Sequence, residues 1–242
     1  MKILKPAAAA ALLSAAAIAT PANAQVAGIA TADTSVAIAR SKALSTAYQQ
    51  IGTQYASVAQ QMQAKRVEIN NLNAQLDTNK DKELTQAEID AAVKAKNPLL
   101  TQVDAKQKEI NAMQDPIIRA QLFSVEQIAL KYEAAQQAVI AAKKISIILT
   151  PEAFVWAPDA VDVTTAITAE LDKSVPSVAI TPPAGWNPSR PIAQLYQSIQ
   201  QLFNNAAQLQ AAQAAAAQSP QPGQPAAPRA AAPAPAQQPD SR

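Results

Sequence analysis

The sequence predicts an α+β fold that is mostly α. A long antiparallel helical hairpin arm is rooted in a small three-stranded β body, and a disordered C-terminal tail follows. Three observations predict it. Leu44, Tyr48, Ile51, Tyr55, Val58, Met62, Lys65, Ile69, Leu72 and Leu76 follow one another at steps of four and three. That 3.5-residue period marks a helix with a narrow apolar seam, which buries against another helix. A return stripe runs through Leu99, Val103, Lys106, Ile110, Met113 and Ile117, then shifts phase by one residue beyond Pro116. It resumes as Ile118, Leu122, Val125, Ala129, Tyr132, Gln136 and Val139. Finally, short β-branched runs lie before the first stripe and after the second. The competing reading, two helices of an ordinary globular bundle, lacks other helices long enough to cover the outer faces.

The chain begins with an address. Lys2 and Lys5 precede an apolar run from Ala7 to Ile18, and Pro21-Ala22-Asn23-Ala24 supplies small residues for a signal peptidase. Residues 1–24 therefore read as a cleavable signal peptide, with cleavage before Gln25. The run is too short to span a bilayer with comfort, and no second such segment follows, so stable membrane insertion is not expected. With Cys 0 there is no lipid-carrying cysteine and no disulfide.

Composition narrows the function. Removing Lys2 and Lys5 from 20 basic residues leaves 18, against 18 acidic ones, so the mature chain is balanced in charge. No basic patch is interleaved with aromatics, so a nucleic-acid partner is not expected. With His 0 and Cys 0, the usual general base and thiolate nucleophile are missing. The glycines Gly28, Gly52, Gly185 and Gly223 form no phosphate-cradling loop. The chain does not read as an enzyme.

Residues 25–33 open the β body. Val26-Ala27-Gly28-Ile29-Ala30 reads as a strand, and Asp33 or Thr34 as the N-cap of the first long helix. That helix, running to Leu76, spans about 43 residues, or roughly 65 Å. Gly52 is its weak point. The hairpin covers residues 34–143, with its tip at 77–98, where Asn97-Pro98 breaks the helix. Pro116 lies inside the return helix and is expected to kink it, because it removes a hydrogen bond and crowds the preceding turn.

The tip carries a second pattern. Residues 77–88 follow the twelve-residue EF-hand calcium loop, with oxygen-bearing side chains Asp77, Asn79 and Asp81 at positions one, three and five. Glu83 supplies a backbone carbonyl at seven, Thr85 a hydroxyl at nine, and Glu88 a bidentate carboxylate at twelve. Ca²⁺ is thus the candidate cofactor. Lys82 stands where glycine normally permits the sharp turn, which weakens the site. Thr85-Gln86-Ala87-Glu88 is equally a capping box, a reading that needs no metal.

Beyond Lys144 the period changes. Ile145-Ser146-Ile147-Ile148-Leu149 reads as a strand, Thr150-Pro151-Glu152 as a turn and Phe154-Val155-Trp156 as a third strand. Asp162 then caps a helix with Val163, Ile167 and Leu171 on one face. Residues 144–175 thus complete the body begun at 25–33. Three short strands and one helix bury too little to stand alone, which predicts assembly with copies of itself. On that reading, Ile147→Asp dissociates and unfolds the protein together. Residues 176–211 read as a proline-rich connector and an amphipathic helix. Residues 212–242, rich in Ala, Gln and Pro, read as a disordered tail whose simplest role is a spacer.

The strand-turn-strand of residues 145–156 and the helix beginning Asp162-Val163-Thr164-Thr165 resemble the C-terminal signature of the Skp (OmpH-like) family of periplasmic outer-membrane-protein chaperones. Signal peptide, first strand and hairpin follow that family's order, so the resemblance covers roughly residues 1–175. It implies a homotrimer in the periplasm whose strands form a shared body, with Ile147, Leu149, Val155 and Ile167 in the common core. Three helical arms would enclose a cavity for unfolded outer-membrane proteins. Two features depart from the better-known members: the arms are nearly neutral rather than strongly basic, and the tip is elaborated.

The resemblance leads to an ATP-independent holdase. Tyr48, Tyr55, Met62, Met113 and Tyr132 on the arms are its diffuse candidate client contacts, since Met and long helical faces adapt their packing. The alternative is a structural coiled-coil adaptor of the envelope, with or without calcium at its tip. Charge balance predicts client binding that depends little on salt.

Overall fold

The structure, a computed structural model, describes residues 28–218. The expected signal peptide, the start of the expected first strand and most of the expected tail lie outside the described residues. The chain divides into two compact units, one ending at Ile199 and the other beginning at Gln200.

The first unit is stitched together at a short parallel sheet. β1 (Ile29–Thr31) pairs with β2 (Ile147–Leu149) in the register Ile29↔Ile147, Ala30↔Ile148 and Thr31↔Leu149. Thr31 also forms a bridge to Asp162, with the Val163 N–H donating to the Thr31 carbonyl at 2.9 Å. β1 is therefore flanked on both edges by chain from beyond the long helices. A parallel pair needs a long crossover between its strands, and here the helices supply it.

The third expected strand does not form within the chain. Pro151–Ala153 is a single 3₁₀ turn, and Phe154, Val155 and Trp156 follow it without entering a ladder. Pro151 and Pro158 bracket the segment and lack backbone donors. Val155 and Trp156 are exposed, at 108% and 80% of their reference areas.

The first long helix is also not continuous. α1 (Thr34–Ala39) starts at Asp33, whose carboxylate accepts the Val36 N–H at 3.0 Å and the Ser35 hydroxyl at 2.6 Å. α2 (Lys42–Gln54) starts afresh at Ser41, which is buried, donates to the Ile38 carbonyl and accepts from the Leu44 N–H. Serine competes with the helix for its own backbone, and at Ser41 it wins. α3 (Ala56–Leu76) follows a second break at Tyr55, where φ is −102° and ψ is 15°. The weak point is thus three residues beyond Gly52, which is itself helical.

α4 (Gln86–Lys94) lies in the tip, and α5 (Pro98–Lys143) returns. Asn97 caps α5 by accepting the Leu99 N–H, and Pro98 occupies the first turn, where its missing N–H costs nothing. α5 passes through Pro116 without ending. α3 and α5 run antiparallel, because Lys65 pairs with Glu109 while Glu68 pairs with Lys106.

α6 (Thr164–Ser174) and the start of α7 (Arg190–Gln218) complete the core. Ile38, Leu44, Val125, Ile128, Ile167 and Leu171 are almost wholly buried in it, and Ile199 joins them. The folded base is therefore not three strands and one helix. It gathers α1, α2, the C-terminal half of α5, α6 and the start of α7, and the expected body of three strands and one helix is corrected accordingly. Ile167 belongs to this core of the single chain.

Candidate functional site

The five candidate client contacts do not converge. Tyr48 and Tyr132 are half-buried and pack against the base core. Burial pushes the Tyr132 phenol above its ordinary pKa. Tyr55 is half-buried at the break between α2 and α3. Met62 is buried and Met113 half-buried, as seam positions should be when two helices close on each other.

The apolar surface that remains open lies largely off those stripes. Val67 on α3 is 48% exposed, and Ile118 and Leu130 on α5 are 40% and 74% exposed. Period-based reading assigns the seam to the interior and says nothing of apolar residues on the far face, so Val67 and Leu130 were missed.

A second apolar surface lies at β2. Ile147 and Leu149, two of the expected oligomer contacts, are exposed, as is Val155, the third. Beside β2 lies a cavity of about 310 Å³, lined by Thr34, Tyr132, Gln136, Ile140 and the chain from Ile145 to Thr150. The fourth expected contact, Ile167, is wholly buried away from this surface.

At the tip, every candidate calcium-loop side chain is engaged. Asp77 accepts the Lys80 N–H at 2.7 Å and the Lys82 N–H at 2.8 Å. Asn79 accepts from the Asp81 N–H, and Asp81 in turn accepts from the Glu83 N–H. Glu88 accepts the Thr78 and Asn79 N–H groups on one oxygen and the Thr85 N–H and hydroxyl on the other. Thr85 and Glu88 together make the capping box of α4. The Thr85 N–H is the largest cause holding the Glu88 carboxyl near a pKa of about 2, followed by the Thr85 hydroxyl. Lys80 and Lys82 adopt positive φ, 62° and 72°, so the loop makes at Lys82 the turn that glycine would ease. Among the described residues, no three His, Cys, Asp or Glu side chains stand close enough together to hold a metal ion.

Along the arm, the Lys106 ammonium hydrogen-bonds Glu68 and holds its carboxyl below the ordinary value, and Lys65 does the same for Glu109. Among the described residues, no helix is long and apolar enough to cross a membrane.

The described residues thus make a mostly helical protein with a small two-stranded sheet, in which α3 and α5 lie antiparallel and the capped polar tip joins them. The chain belongs to the family described as outer membrane protein (OmpH-like), whose model matches residues 28–171. A solved structure from Caulobacter crescentus CB15, described as an OmpH-like outer membrane chaperone, is similar at 22% identity and a TM-score of 0.40. The similarity covers 63% of this chain and 88% of that one. No curated protein matches.

Proposed function

We propose that the chain is an ATP-independent periplasmic holdase for unfolded outer-membrane proteins. Membership of the OmpH-like family over residues 28–171 carries this reading. Three copies would meet through Ile147, Leu149, Val155 and Trp156, whose exposed apolar area costs free energy until a partner covers it. The helix pairs would then stand as arms around a client cavity. Val67, Ile118 and Leu130 supply weak apolar contacts on them, in addition to the half-buried Tyr55 and Met113. Scattered contacts of this kind suit many sequences and favour none, as a holdase requires.

The test is breadth of binding. Fluorescence anisotropy with two unrelated outer-membrane β-barrel proteins, each diluted from urea, should show that both bind the mature chain and that neither binds once folded. Binding of a single fixed partner and of neither unfolded protein would favour the envelope adaptor instead.

Calcium at the tip is a second reading, favoured by the positive φ of Lys82 at the sixth loop position. Such a site would require Glu88 to leave its capping bonds and turn toward Asp77 and Asp81. Calorimetric titration at millimolar calcium should give heat with the native chain and none with Asp77→Ala. Equal heat, or none in either, would leave the capping box as the loop's whole role.

A further inference from the structure

The OmpH-like match stops at residue 171, yet the chain beyond α6 doubles back onto α5. Residues 176–189 form neither helix nor strand and contain Pro176, Pro182, Pro183 and Pro188. They lie against one face of α5 through a small set of contacts. The Gln127 side chain grips the backbone of Ala179 from both sides, donating to its carbonyl at 2.7 Å and accepting its N–H at 3.1 Å. Farther along, Trp186 fills an aromatic seat. Its ring meets Phe123 edge-on at 5.2 Å, the Arg119 guanidinium lies 5.6 Å from its centroid, and its indole N–H donates to Glu126 at 2.6 Å. Arg119 also donates to the Trp186 carbonyl. From Gln127 back to Arg119 is two turns of α5, about 12 Å, so the segment runs opposite to the helix.

Neither half of this arrangement depends on a particular sequence. A glutamine amide that satisfies both the N–H and the C=O of one residue recognises extended backbone, whatever its side chain. A seat formed by Phe123, Arg119 and Glu126 accepts a large aromatic residue with a polar edge. Ile180, beside the gripped residue, lines an open groove of about 460 Å³ with Thr46, Gln49, Gln50, Thr53 and Gln54 of α2. The prolines of the segment limit its freedom when released, so docking it costs little entropy.

We infer that this face of α5 is a binding groove for extended polypeptide bearing an aromatic residue, occupied here by the chain's own residues 179–187, which an unfolded client displaces. The inference rests on the holdase reading. A tethered occupant competes at high effective concentration and lowers the apparent affinity for any client by the fraction of time it is docked.

The absence of cysteine permits a clean test. Gln50→Cys with Ile180→Cys, two positions that line the adjoining groove, joined by a cleavable bis-maleimide, fixes the segment in place and leaves Gln127 and the aromatic seat intact. The probe is an outer-membrane β-barrel protein diluted from urea, with circular dichroism confirming that each variant is folded. The linked chain should bind it at least tenfold more weakly than the same chain before linking, and cleaving the linker should restore binding. Trp186→Ala, which empties the aromatic seat and leaves Phe123, Arg119 and Glu126 in place, should bind the probe severalfold more tightly than the native chain. Equal affinity in linked, cleaved and Trp186→Ala chains, with the probe still bound, would overturn this inference alone and leave the segment a structural brace. Absence of probe binding in every chain would overturn the holdase reading and this inference with it.

Discussion

Gly28 closes tightly on Ser146: its carbonyl accepts the Ser146 N–H at 2.7 Å, and its own φ is 85°. An alanine Cβ at this position would lie 2.7 Å from the Ser146 hydroxyl oxygen. Two penalties coincide, a side chain in the left-handed region and a steric overlap. Gly28→Ala should therefore lower stability by about 1–3 kcal/mol, read as a lower urea midpoint. Adding Ser146→Ala should recover only part of the loss, since it relieves the overlap and not the backbone. Full recovery would mean that the positive φ costs nothing here.

The base gives a second prediction. Ile147 is 52% exposed while Ile167 is wholly buried in the core of the single chain. Ile147→Asp should dissociate the proposed three-copy assembly and leave a folded monomer, seen as a lower mass in sedimentation with unchanged helicity. Ile167→Asp should unfold it, because a carboxylate would be buried without a partner. If Ile147→Asp lost helicity as well, the core of the single chain would be too small after all.

Much of this was legible in the sequence, and the limits have physical causes. The seam from Leu44 to Leu76, the cap at Asp33, and the capping box at Thr85 and Glu88 are local patterns, and the structure forms each of them. The break at Ser41 was missed because it depends on burial against the base, which periodicity does not report. Phe154-Val155-Trp156 looks like a strand by composition, but a strand exists only where another chain segment offers a ladder, and none does so here. At the tip, the capping box of Thr85 and Glu88 was readable from its four-residue spacing. The grip of Gln127 on Ala179, separated by 52 residues, left no trace in local spacing.

The tip should respond to acid in a defined window. The folded Glu88 carboxyl titrates at about 2 against an ordinary value of 4.5. A depressed carboxylate pKa contributes stability that is complete above the unfolded value and is lost as pH falls through the folded one. Amide exchange at Thr78, Asn79 and Thr85 should stay slow, after allowance for the intrinsic rate, above the unfolded value and accelerate as pH is lowered toward the folded one. Glu88→Gln should show the fast exchange already at neutral pH. Pattern and rate indifferent to both changes would remove the carboxylate from its place as organiser of the loop.

Salt should matter little to client binding. Beyond residue 24 the charge is balanced, 18 basic against 18 acidic residues, and Lys65 and Lys106 are already paired with Glu109 and Glu68 across the helices. Raising ionic strength from low to physiological should change client affinity by less than about threefold, since screening acts on unpaired charge. A loss of tenfold or more would reveal a steering patch on the assembled surface.

The central claim is that the assembled chain keeps unfolded outer-membrane proteins from aggregating without nucleotide. Light scattering of a β-barrel protein diluted from urea tests it most directly. With the mature chain added at three copies per client and no ATP, scattering should fall to near baseline, and equal amounts of the Ile147→Asp monomer should leave most of it. Scattering unchanged by the native chain at that ratio would contradict the holdase account.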